Sequence, residues 1–317
     1  MPASPHVSVI VTTYHRPRQL RAAVASALEQ SLQEIEVIVV LDGPDPATMA
    51  SLENVADDRL RIHVRENRGG QAAAINSGVQ LARGAWTALL DDDDEWLPEK
   101  LETQLRTARA SAYARPVVGC YFHARSDRRD IRWPSRAPRR GEAVGDYLFC
   151  RTRLAFGEGV IPTSMLFAPT SLFRCVPMDE DLPRHCDLDW LIRVDALPDV
   201  GLEMPVEPVA MAVWHLQGHD RLSRAHDWRF SYDWIGRIRN MLSPRAYAGF
   251  LLTWVSFSAR SQRDVRAIPT LLHEAFRRGR PGAMELAVYA AVWCLPLQLR
   301  ARSSDWLARM TDRGGVS

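Results

Sequence analysis

Lysine is almost missing from this chain. Of 40 lysines and arginines, Lys100 is the only lysine. Cysteine is sparse as well: Cys120, Cys150, Cys175, Cys186 and Cys294 are scattered over 317 residues with no CxxC pair. An odd, scattered set of this kind excludes a disulfide scaffold and reads as reduced thiols in a cytoplasmic compartment. Net charge is only +2, so no global field points to nucleic acid. The N-terminus, Met1-Pro-Ala-Ser-Pro-His6, has neither a basic region nor a long apolar stretch, and no secretory signal is expected. The most apolar late segment, Ala283 to Leu299, is interrupted by Glu285, Pro296 and Gln298. It falls short of the ~18 apolar residues of a membrane span. The rest of the composition, 46% hydrophobic and 25% charged, excludes collagen-like and disordered chains. At roughly 150 residues per domain, the length allows two domains or one large α/β domain with an appendage.

Two periods alternate through the first hundred residues. His6 to Thr13 is short and β-branched, a strand. Pro17 opens a helix at a favoured first position, with Leu20, Val24, Ala27 and Leu28 on one stripe. Glu36 to Leu41 is a continuous apolar run, the mark of a strand covered on both faces. A helix over 46–56, a strand over 60–64, a helix from Gln71 to Ala82 and a strand from Ala85 to Leu90 follow. Such alternation predicts βαβ units and a parallel sheet with helices on both faces. Ligands of such sheets bind at the carboxyl ends of the strands. Thr12-Thr13-Tyr14, Asp42, the Asn67–Gly70 turn and Asp91-Asp92-Asp93-Asp94 all lie there, and they read as one site. Further on, the pattern predicts a helix from Pro98, one strand over 117–122, a basic loop over 125–145 and a strand over 165–167. A helix over 188–196 and an extended segment over 206–216 follow. Beyond about residue 220 the chain turns helical.

The four aspartates are the strongest chemical signal. Consecutive carboxylates behind an apolar strand repel one another unless a cation neutralises them or water solvates them. In extended backbone, residues two apart point the same way. Asp91 and Asp93, or Asp92 and Asp94, can therefore share a ligand. An all-oxygen donor set suits Mg²⁺, Mn²⁺ or Ca²⁺ rather than zinc. A solvated acidic loop is the alternative.

The segments Val9-Ile-Val-Thr-Thr-Tyr14, Val39-Val-Leu-Asp42, Asn67-Arg-Gly-Gly70, Asn76-Ser-Gly78, Ala82-Arg-Gly84 and Leu90-Asp-Asp-Asp-Asp94, in this order, resemble the family 2 glycosyltransferases. Pro162 to Phe167, Met178 to Leu182 and Asp187 to Arg193 extend the resemblance to about residue 195. It implies an inverting enzyme of the GT-A fold: an α/β domain with a mostly parallel central sheet. That catalytic domain is expected over 1–220, with a nucleotide-binding half over about 1–110 and an acceptor half over about 111–220. A helical region over 221–317 completes the chain.

The same resemblance implies roles. Thr12, Tyr14 and Asp42 cradle a base and ribose, with Asn67 in the turn beside them. Asp42 accepts from a uracil or thymine imide, or is simply a turn residue before Gly43. Asp91-x-Asp93 matches the DxD element, with Asp91 near the ribose and Asp93 on a Mn²⁺ or Mg²⁺ ion. Asp92 and Asp94 are secondary candidates. An inverting transfer needs a carboxylate to take the acceptor proton. The family's Glu-Asp pair aligns with Cys186-Asp187, so Asp187 is the expected base and Asp189 its rival, and the Glu is replaced by Cys186. The helix N-terminus is expected to lower the Asp187 pKa, and Asp187 as a plain N-cap is the alternative. A basic residue common before the Asn of the Asn76 block is Ile75 here. His215, His219 and Arg221 are candidates for metal or phosphate contact, or ordinary surface residues.

The implied activity is metal-dependent transfer of a sugar from a UDP- or dTDP-linked donor to a hydroxyl acceptor, in polysaccharide, glycolipid or metabolite glycosylation. Two rivals are a non-catalytic sugar-nucleotide binding scaffold and a nucleotidyltransferase. The second calls for a Gly-rich basic loop near the first strand, and Thr12 to Arg16 has no glycine. Seven arginines over 125–140 are a solvated loop, or a contact for an anionic acceptor or a membrane surface. Trp228, Trp234, Trp254, Trp293 and Trp306 among arginines suit a helical subdomain, a second copy of the chain or a membrane interface. The expected location is cytoplasmic, with peripheral membrane contact as a variant.

Overall fold

The computed structural model describes residues 5–127, 129–154, 156–216 and 227–295. The described chain begins β1 (Val7–Thr13), α1 (Pro17–Leu28), β2 (Ile35–Leu41), α2 (Pro46–Leu52), β3 (Leu60–Val64), α3 (Gly70–Leu81) and β4 (Trp86–Asp91). It continues with β5 (Asp94–Trp96), α4 (Lys100–Ala110), β6 (Arg115–Val118), β7 (Tyr121–Ser126), β8 (Arg129–Trp133) and α5 (Val144–Phe149). Next come β9 (Phe167–Pro169), α6 (Thr170–Cys175), α7 (Cys186–Asp195), β10 (Val200–Glu203) and β11 (Ala210–His215). The last helices are α8 (Trp228–Arg237), α9 (Pro244–Phe250), α10 (Ser256–Ser261), α11 (Ala267–Arg278) and α12 (Ala283–Cys294). Among the described residues, no helix is long and apolar enough to cross a membrane.

The chain divides into two compact units. The first comprises the described residues to 141 and those from 161 to 216; the second comprises 142–160 and the described residues from 227. Residues 142–160, which the sequence reading puts in an acceptor half, thus cluster with the C-terminal helices.

In the first unit a seven-stranded sheet runs β10-β6-β9-β4-β1-β2-β3. Only β9 is antiparallel to its neighbours. Every residue of β1 and β2 is buried, as apolar runs covered on both faces should be. Helix α3 lies close on these strands because residue 78 is glycine: a Cβ there would sit 2.4 Å from Cγ2 of Ile10. A second sheet runs β5-β11-β7-β8.

The expected strand over 117–122 is in fact two strands, one in each sheet, broken at Gly119-Cys120. The arginine-rich segment is not all loop either. β8 pairs antiparallel with β7, setting Arg125 opposite Asp130. Asp130 takes His123 Nδ1 at 2.7 Å and Arg125 Nε at 2.9 Å. Trp133 meets Phe122 and Trp214, with centroids 6.5 and 6.0 Å away. The alternation that makes this a strand is hidden because its outward positions, Asp130 and Arg132, are charged and its inward face, with Ile131 and Trp133, also carries Arg129.

The second unit is helical. Phe250 is its hub, in contact with Phe149 at 4.9 Å and Trp234 at 5.3 Å between centroids. Helices α5 and α9 touch through Gly249, where a Cβ would lie 2.3 Å from the Phe149 carbonyl oxygen. Glu285 is fully buried and accepts the Arg151 backbone N–H at 2.7 Å and Arg245 Nε at 3.2 Å. Of the tryptophans noted in the sequence, Trp228 and Trp234 are buried here. Trp306 lies outside the described residues.

Candidate active site

Register brings the sequence candidates to one edge. Thr12 of β1 stands opposite Asp91 of β4, and Thr13 stands opposite Leu41 of β2, just before Asp42. Asp42 is buried. Its Oδ1 accepts the Gly69 N–H at 2.9 Å and its Oδ2 the Gly70 N–H at 2.7 Å, with Arg65 as a third donor. These amides belong to the start of α3, where backbone N–H groups have no helical partner and negative charge is favoured. Gly70 has φ +86°, a conformation that glycine adopts without strain. Asp42 thus caps a helix distant in sequence and fixes the 67–70 turn. Beside it, Tyr14 lies under the Arg68 guanidinium, 4.1 Å from the ring centroid. Thr12 is buried and Asn67 exposed.

The aspartates separate into two groups. β4 ends at Asp91 and β5 starts at Asp94, so Asp92 and Asp93 form the turn between them. The turn brings Asp94 back beside Asp91: carboxylate oxygens of Asp91, Asp93 and Asp94 lie within 4.8 Å of one another. Asp92 points elsewhere. Its oxygens accept Thr13 Oγ1 at 2.7 Å and Arg16 Nη1 at 3.0 Å. Arg16 also reaches Asp93 at 3.2 Å. Asp91 accepts Gln71 Nε2 at 2.6 Å. Ser164 braces both ends of the turn, donating to Asp94 Oδ2 at 2.5 Å and accepting the Asp91 N–H at 3.0 Å. Burial pushes Asp91 well above the usual carboxylate range, and the charges of Asp94, Asp93, Asp92 and Asp187 push the same way.

Asp187 sits in the first turn of α7, whose N-cap is His185 at φ +68°. Its carboxylate accepts the Leu188 N–H at 2.8 Å and Thr163 Oγ1 at 3.3 Å. The expectation of a lowered pKa is corrected. Burial raises it, and the backbone and Thr163 hydrogen bonds only partly oppose that rise. Cys186, in place of the family's Glu, is a buried thiol, held protonated first by burial and then by Asp187 and Asp91. Its Sγ lies 3.9 Å from Gln71 Oε1. Asp189 is buried and paired with Arg193 at 2.6 Å. His215 Nε2 is 2.9 Å from Glu95 Oε1, and its backbone N–H lies 3.4 Å from Asp94 Oδ1. His219 and Arg221 lie outside the described residues.

Four site residues escape a reading of the sequence: Arg16, Gln71, Thr163 and Ser164. Each is a polar partner supplied from another element. Only Thr163 and Ser164 carried any signal, through the Pro162–Phe167 segment.

Residues 8–180, more than half of the chain, match the family model described as Glycosyl transferase family 2. The chain is 35% identical over 107 residues to the succinoglycan biosynthesis protein ExoO of Rhizobium meliloti, covering 34% of this chain and 31% of that one. It is 31% identical over 119 residues to the glycosyltransferase GlyG of Streptococcus pneumoniae, covering 37% and 39%. The chain thus spans well under half the length of these curated relatives. Among solved structures it is similar to S. aureus TarS with UDP-GlcNAc, at TM-score 0.53 and 15% identity, covering 93% of this chain and 77% of that one. It is also similar to the mannosyltransferase PcManGT of Pyrobaculum calidifontis with GDP-Man and Mn²⁺, at TM-score 0.56 and 16% identity, covering 96% and 85%. The fold is the GT-A fold. With its first sheet, the aspartate turn at the end of β4 and a family match over most of its first unit, the chain belongs to glycosyl transferase family 2.

Proposed function

We propose that the chain transfers a sugar from a nucleoside diphosphate donor, UDP- or dTDP-linked, to an acceptor hydroxyl with inversion. The observation that carries this reading is the convergence of Asp91, Asp93 and Asp94 next to Asp187. Three carboxylates form an all-oxygen donor set that fits Mn²⁺ or Mg²⁺. Burial raises Asp91 first, and the repulsion that adds to it is one that a divalent cation relieves. When bound there, the cation offsets charge on the departing diphosphate.

The chain's own residues supply the rest. Asp187 takes the proton of the attacking hydroxyl, and a raised carboxylate pKa makes it the stronger base. The Thr163 hydroxyl and the Leu188 N–H orient it. Thr12, Tyr14, Asn67 and Asp42 line the place of base and ribose. Asp42 Oδ2 takes a single N–H, from Gly70, which leaves acceptor capacity for an imide. The nucleotide half is then about 1–110 and the acceptor half lies within 111–220. The UDP-GlcNAc and the GDP-Man with Mn²⁺ of the two structural relatives support a nucleoside diphosphate donor and a divalent metal. The succinoglycan name of ExoO supports a polysaccharide product.

The test is a panel of UDP-, dTDP- and GDP-sugars with and without Mn²⁺, followed for nucleoside diphosphate release. Metal-dependent release from one donor is expected. Tight binding of a sugar nucleotide without release would favour the scaffold reading, and release of pyrophosphate from a sugar phosphate and a nucleoside triphosphate the nucleotidyltransferase.

A further inference from the structure

The arginines that face the site are nearly all spoken for by side chains. Arg16 serves Asp92 and Asp93, Arg65 serves Asp42, Arg193 serves Asp189, and Arg68 covers Tyr14. Arg184 differs. Its Nη1 is buried and has no hydrogen-bond partner. A buried guanidinium N–H left unmade costs more than an ordinary hydrogen bond is worth, so such atoms call for an explanation.

Burial opposes the charged guanidinium, and the charge of Asp187 favours it. Yet Asp187 does not bond to Arg184. Its oxygens take Leu188 and Thr163 instead. The backbone around Arg184 is set by its neighbours. Arg184 stands one residue before the left-handed His185 that opens α7. The chain leading to it is tied to α3, where Asn76 brackets Met178 through the N–H and the carbonyl, both at 2.9 Å. A charged group that has only donors and a spare buried N–H is matched by an acceptor-only ligand atom.

We propose that Arg184 binds an oxyanion, a phosphate or carboxylate oxygen, of the ligand that meets Asp187. The inference deepens the transferase reading and rests on it for the direction of the ligand. Two sources share this chemistry: the diphosphate of the donor, and an anionic group next to the reacting hydroxyl of the acceptor. In the second case the acceptor is an anionic one, such as a sugar phosphate, a polyol phosphate or a uronic acid.

Calorimetric titration of the full chain with Mn²⁺ separates them. The probes are UDP, dTDP, uridine and inorganic phosphate, with phosphate also titrated into the UDP-loaded protein. Wild type, Arg184→Ala and Arg184→Lys are compared, with circular dichroism confirming that each is folded. If the oxyanion is the donor's, Arg184→Ala weakens UDP about tenfold or more and leaves uridine unchanged. If it is the acceptor's, UDP is unchanged and phosphate binding to the UDP-loaded protein is lost. In either case Arg184→Lys keeps the charge but loses the fork, and falls between. Arg184→Ala binding UDP and phosphate as the wild type does would overturn the proposal. If wild type binds phosphate through Arg184 but neither UDP nor dTDP, the transferase reading fails while the oxyanion site stands.

Discussion

Asp189 is held by Arg193, one turn further along the helix that carries Asp187, at 2.6 Å. The pairing occupies the rival base and leaves Asp187 as the α7 carboxylate beside the aspartate turn. Asp187→Asn is expected to lower transfer by ~10²–10⁴, the worth of a positioned base, with UDP affinity nearly unchanged. Asp189→Asn should cost mainly stability. Turnover and thermal melting of both variants check this, and an inactive Asp189→Asn beside an active Asp187→Asn would reverse the assignment.

The aspartate turn divides labour. Asp93→Ala should abolish the dependence of UDP binding on divalent metal. Asp92→Ala should leave metal binding in place but destabilise the fold, because it removes the acceptor of the buried Thr13 hydroxyl and one of the acceptors of Arg16. The cost should be about 1–3 kcal/mol, as for a buried group that loses its partner. Mn²⁺ titration and urea unfolding of the two variants separate the roles.

Asp42 has a structural duty that its place before Gly43 does not advertise. Asp42→Ala leaves the Gly69 and Gly70 amides and Arg65 without their acceptor. We expect a loss of about 1–3 kcal/mol in unfolding free energy even without nucleotide. Asp42→Asn should lose less. Equal stability of wild type and Asp42→Ala in urea would show that the cap is idle.

The single lysine gives a pH signature. Lys100 is buried, donates to Gln104 at 2.7 Å and lies over the Trp96 ring at 3.8 Å. Burial pulls its pKa from 10.5 down to about 8. Between those values the unfolded chain binds more protons than the folded one, so stability rises with pH from about 8 to about 10.5. Below that window the charged amine costs about 3 kcal/mol, at ~1.4 kcal/mol per pKa unit. Lys100→Met should raise stability at pH 7, less whatever the ring contact contributes, and flatten the alkaline rise. Urea unfolding at pH 7 and pH 10 reads both.

A chain ending near residue 220 should be insoluble. It lacks α8 to α12 and leaves Phe149 of α5 without Phe250 and Trp254, the rings it packs against. A soluble, fully active truncation would show that those helices serve another purpose.

The strands β1, β2 and β4 were legible because they are apolar runs whose helices obey a different period. The site edge was legible for the same reason: Asp42 and Asp91 directly follow such runs. Reading pairs two residues apart could not find Asp94 beside Asp91, because that neighbourhood is made by a turn between two sheets. Nor could it find Arg16 or Gln71, whose roles exist only once the fold brings Arg16 to the turn after β4 and Gln71 to the end of β4. The shift at Asp187 went the wrong way because the helix terminus was visible in the sequence and the burial was not. β8 was lost among arginines because charge outweighed a weak two-residue alternation.

The second unit is sewn from two distant pieces of chain, and synthesis runs in one direction. Phe149 leaves the ribosome about a hundred residues before its partner Phe250. At roughly 5–20 residues per second, that is a wait on the order of 5–20 s. For that interval Phe149 lacks the Phe250 ring that packs on it. By then the first unit has received every strand among its described residues, since β11 ends at His215.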